Sequence, residues 1–131
     1  MATLTPSKVN ELAKSLLAMA ESIGEYRRQH YDTLSVRERK EMKDLQQAIL
    51  KYADQLFTLS AILVLDDVQI PLSSIVDLTN QMKITLQTLR DVQKAIDIAA
   101  SVVDLGGAIF SSDPKAMAVA LSNLSDQLNK D

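Results

Sequence analysis

Residues 9–26 read VNELAKSLLAMAESIGEY. An apolar stripe runs through them at Val9, Leu12, Leu16, Met19, Ile23 and Tyr26. Intervals alternating between three and four residues keep one stripe of an α-helix apolar, the spacing of a coiled-coil seam. A half-buried strand would instead alternate every second residue. This stretch therefore decides the fold class, and the question becomes how far the same period extends.

Working back, Thr5 can accept a hydrogen bond from the first free amides and Pro6 suits the first helical position, so the helix is expected from about residue 6 to 31. Working forward, Ser35 and Glu38 form a capping-box pattern. A second seam follows it: Met42, Leu45, Ile49, Tyr52, Leu56, Leu59 and Leu63. Asp66 and Asp67 oppose the negative end of a helix dipole and mark its stop, and Pro71 pushes Ile70 into an extended conformation. A third helix opens near 72–74. Its seam is Ile75, Leu78, Met82, Thr85, Leu89, Val92, Ile96, Ala99 and Val103, and Gly106 and Gly107 are expected to end it. Pro114 starts a fourth, with Met117, Leu121, Leu124 and Leu128 inward.

Composition agrees. The chain has 131 residues, 47% of them hydrophobic, with three Gly and three Pro. So few breakers imply few, long elements and argue against an all-β fold. The reading is a single all-α domain over residues 1–131. It is an elongated antiparallel up-down helical bundle of three long helices plus one shorter C-terminal helix, of roughly 26, 30, 32 and 16 residues.

Several chemistries are excluded by residue type. Cysteine is absent, which removes disulfides and thiolate-bound metals. The single histidine, His30, and the lack of any Glu-x-x-His remove the di-iron class of helical bundle. No Gly-x-Ser-x-Gly or phosphate-binding loop occurs. No catalytic residue, cofactor site or metal site is expected, and His30 reads as a helix-end histidine favoured by the dipole. No cationic stretch followed by an apolar run opens the chain, and the longest apolar run, 56–65, falls short of the ~20 residues that span a bilayer. A cytoplasmic location is the expectation.

The net charge of −3 is uneven, with +1 over residues 1–65 and −4 over 66–131. Arg27, Arg28, Arg37, Arg39, Lys40 and Lys43 cluster around the first turn, near Tyr26 and Tyr31. Asp32, Glu38, Glu41 and Asp44 are interleaved, and pairs such as Arg37–Glu41 and Lys40–Asp44 stand four apart, so a self-paired, solvated face is the expectation. Nucleic-acid binding there is disfavoured.

Residues 56–65, LFTLSAILVL, are apolar nearly all round, and a helix of that kind must be buried on every side. In the expected bundle the fourth helix starts at the opposite end and is too short to shield them. The functional expectation follows: a non-enzymatic interaction module that self-associates or docks a protein partner through residues 56–76. Phe57, Ile62, Leu65, Val68 and Ile70 are its candidate interface residues, Phe57 and Ile62 because they lie off the seam. The alternative is a membrane-acting helical protein, a component of a pore-forming or toxin system. It would expose residues 56–65 or the small-residue stretch before Phe110, though Asp97 and Asp104 oppose resting in lipid.

Overall fold

The computed structural model describes residues 6–62, 72–111 and 114–129. They form five α-helices: α1 Pro6–Gln29, α2 Val36–Ile62, α3 Leu72–Thr88, α4 Val92–Ser111 and α5 Pro114–Asn129. No strand occurs among the described residues. The protein is an all-α helical bundle around one apolar core to which every helix contributes.

The first seam does what its spacing predicts. Val9, Leu12, Leu16, Met19, Ile23 and Tyr26 are all buried, and Ala13, Ala20 and Gly24 widen the stripe. The width follows from the position of α1, which packs against α2, α3 and α4. Gly24, near the end of α1, stands beside Gln46 in the first half of α2, as in an antiparallel hairpin. The turn is a short 3-10 segment, Tyr31–Thr33, pinned by buried Leu34. The capping box forms as expected: Ser35 N–H donates to Glu38 Oε1 at 2.8 Å, and Glu38 N–H donates to Ser35 Oγ at 3.1 Å.

The expected third long helix is two helices. The chain turns at 89–91, and Asp91 starts α4 by accepting the Lys94 N–H on its side chain at 3.3 Å and the Ala95 N–H on its carbonyl at 3.2 Å. The reason is packing. A straight helix over 72–111 would be about 60 Å long against about 36 Å for α1, leaving much of its most apolar part without neighbours. Folding back lays α4 against α2 and α1. The turn also resets the register. The innermost residues of α4 are Ala95, Ile98, Ala99, Val102, Leu105 and Ile109, whereas Val92 and Val103 are half-buried.

Gly106 and Gly107 are a second difference. They lie inside α4, which continues to Ser111. A Cβ on Gly106 would come within 2.5 Å of the Tyr52 ring on α2, so this glycine marks a close helix approach and not a helix end. The same contact places the C-terminal half of α4 beside the C-terminal half of α2, where Tyr52 and Phe110 stack at 5.5 Å. An unbroken third helix would leave residues 96–105 at the end carrying the first turn; the corner at 89–91 sends the chain back from there. α5 then runs in the same sense as α3: Gln81 donates to Asn129 Oδ1 at 2.7 Å, while Ser74, Asp77 and Leu78 border Leu121, Ser122 and Ser125.

Candidate functional site

Two regions singled out by sequence are the candidates for function. The first is the far end of α2. Phe57 is half-buried and packs on the core, so the chain's own helices claim part of a side chain expected to be free for a partner. Ile62 is the last residue of α2. Leu65, Val68 and Ile70 lie outside the described residues. The principal neighbours of α2 are α1 and α4. On α3, at the other limb of the same segment, Val76 is 39% exposed.

The second region is the first turn. Arg27, Arg28, Tyr31, Val36, Arg39, Lys40 and Lys43 line one open cleft of about 530 Å³, and no acidic residue lines it. Helical spacing brings Val36, Arg39, Lys40 and Lys43 to one face of α2, and the hairpin adds the last turn of α1. The expected self-pairing is half realised. Lys40 Nζ meets Asp44 Oδ2 at 3.2 Å on an exposed surface, where such a pair contributes at most about 0.5 kcal/mol. Arg37 and Glu41 form no ion pair among the described residues. Arg39 is held inward instead: its Nε donates to the Tyr31 carbonyl at 2.9 Å and its guanidinium lies 3.8 Å from the Tyr31 ring centre. Two apolar side chains stand among these cations, Tyr31 at 51% exposure and Val36 at 80%. The exposure of Val36 is the feature sequence reading missed; its position first in α2, before the seam begins, was the available signal.

His30 behaves as a helix-end residue. Its Nδ1 lies 3.0 Å from the Tyr26 carbonyl and its ring stacks on Tyr26 at 4.1 Å. Below it, the Tyr26 hydroxyl is buried with no hydrogen-bond partner among the described residues. Burial, followed by the negative charges of Asp91 and Glu38, raises its pKa above the ordinary tyrosine value.

A further cleft, also about 530 Å³, lies between α4 and α5 and is lined by Asp104, Gly107, Lys115, Val119 and Asn123 among others. It offers one carboxylate and no nucleophile–base pair. No group of His, Asp and Glu suited to a metal ion occurs among the described residues, and no described helix is long and apolar enough to cross a membrane. No protein-family model matches this chain, and no curated protein or solved structure shows significant similarity to it.

Proposed function

We propose that this chain is a non-enzymatic helical interaction module that self-associates, or docks a protein partner, through the apolar segment 56–76. The observation that carries the reading is the mismatch between sequence and neighbours on α2. Residues 56–65 are apolar nearly all round, while the described part of α2, which ends at Ile62, is flanked chiefly by α1 and α4, and Val76 in the same segment is surface-exposed. Two helical neighbours cover two sides of a helix; an all-round apolar surface calls for a third. The return of α4 supplies one of the two.

The interaction reading is favoured over the membrane-acting alternative by the use already made of the small-residue face of α4. Ala99, Ser101, Gly106 and Ala108 are buried in the bundle, with Tyr52 pressed against Gly106. Exposing that face to lipid would require dismantling the core.

The test is molar mass measured by light scattering over a wide range of protein concentration. The wild-type chain should exceed the monomer mass. Ile62→Lys should lower it to the monomer while helicity stays unchanged. A wild-type monomer at every concentration, with no partner retained in a pull-down, would reject the proposal.

A further inference from the structure

We propose that the cationic cleft at the α1–α2 turn is a docking site for an anionic lipid surface, with phosphate-bearing headgroups held by Arg27, Arg28 and Lys43 and the side chains of Tyr31 and Val36 entering the interface. This goes beyond the self-association reading and does not depend on it.

The first support is charge. Residues 27–43 hold six Lys and Arg against three Asp and Glu, a local +3 in a chain of net −3. Of the three acids, Glu38 is tied into the capping box, and none of them lines the cleft. Lys40 is shared with Asp44 and Arg39 is turned onto Tyr31. The remaining lining cations, Arg27, Arg28 and Lys43, stand around a volume of about 530 Å³. That volume is within the range of small-ligand sites and accommodates a lipid headgroup.

The second support is the apolar pair. Val36 is 80% exposed and Tyr31 is 51% exposed, both at the end of a helical hairpin and both among cations. Ile84 and Val119 are exposed elsewhere, so what distinguishes this pair is its place within a basic rim. A tyrosine and an aliphatic side chain within a basic rim match the chemistry of the bilayer interface, where an amphipathic ring sits at headgroup depth.

A nucleic-acid strand fits less well. Binding a strand without sequence preference uses successive stacking platforms. Tyr31 is the one aromatic residue lining the cleft, and Arg39 covers one of its faces.

The experiment is co-sedimentation of the full chain with phosphatidylcholine vesicles, with and without phosphatidylserine. Partitioning should require phosphatidylserine and weaken as salt shortens the screening length. Arg28→Gln with Lys43→Gln should lower it roughly 30-fold, from two lost charges near the surface. Val36→Asp should lower it several-fold, and an acid in the first turn of a helix favours the helix, so folding is preserved. Circular dichroism on each variant confirms that it is folded. Four results would overturn the proposal: no partitioning, or equal partitioning without phosphatidylserine; full competition by inorganic phosphate beyond that of chloride at equal ionic strength; retention of a single-stranded oligonucleotide or poly-glutamate in place of vesicles; or a Val36→Asp variant that partitions like the wild type. Ile62→Lys, at the other end of α2, should leave partitioning intact whatever it does to molar mass, so the two proposals fail separately.

Discussion

Two adjacent glycines in one helix have opposite roles. Both cost helix stability, about 1 kcal/mol each relative to alanine. A Cβ on Gly106 would sit 2.5 Å from the Tyr52 ring, a group that cannot rotate away without disturbing its stack on Phe110. A Cβ on Gly107 would meet the Tyr52 hydroxyl at 3.5 Å, an ordinary contact. Gly106→Ala should therefore destabilise by about 1 kcal/mol net, overpacking of 1–3 kcal/mol outweighing the propensity gain. Gly107→Ala should stabilise by up to about 1 kcal/mol. Urea denaturation midpoints of the two variants should move in opposite directions. The Tyr26 hydroxyl gives a second prediction. Its raised pKa means that the folded state keeps the proton longer than the unfolded chain does. Its contribution is intact below the ordinary value of 10.0 and is lost as pH climbs through the higher folded value. Tyr26→Phe removes a buried hydroxyl lacking a partner, so it should be neutral or stabilising by about 1 kcal/mol at pH 7. It should also show a shallower loss of stability above pH 10 than the wild type in the same denaturation series.

Among the helices, the corner at 89–91 matters most. It has neither Gly nor Pro, and the apolar period runs through it nearly unbroken. Its local stabilisers are the Asp91 cap on α4 and half-buried Leu89. Asp91→Ala should cost about 1 kcal/mol, as for other lost N-caps, with amide exchange accelerated first in the opening turn of α4. Unchanged exchange there would mean that packing alone holds the corner. The capping box at Ser35 and Glu38, by contrast, was legible from four letters of sequence, because its chemistry is local.

Across the whole molecule, α5 completes the core with Met117, Ala120, Leu124 and Leu128, all buried against the rest of the bundle. Burial of an aliphatic side chain is worth about 1.5–3 kcal/mol. A chain ending at Asp113 should therefore lose roughly 5 kcal/mol or more, comparable with the whole stability of a small domain. Its urea transition should broaden and lose cooperativity while much of the helicity remains. A sharp transition from the truncated chain would show that α1 to α4 form a complete core.

Periodicity was sufficient to read the helical class, the inward face of α1, most of the inward faces of α2, α3 and α5, and the starts at Pro6 and Pro114, because each depends on residues within a turn or two of one another. The cations of the cleft were also legible as a cluster. Their gathering around one volume with Val36 and Tyr31 exposed was not, since it depends on how two helices meet. The corner at 89–91 and the burial of Gly106 under Tyr52 likewise came from tertiary structure. A seam shows that a helix has an apolar face but is silent on which neighbour covers it, and an unbroken seam folds in two when a straight helix would outrun its partners.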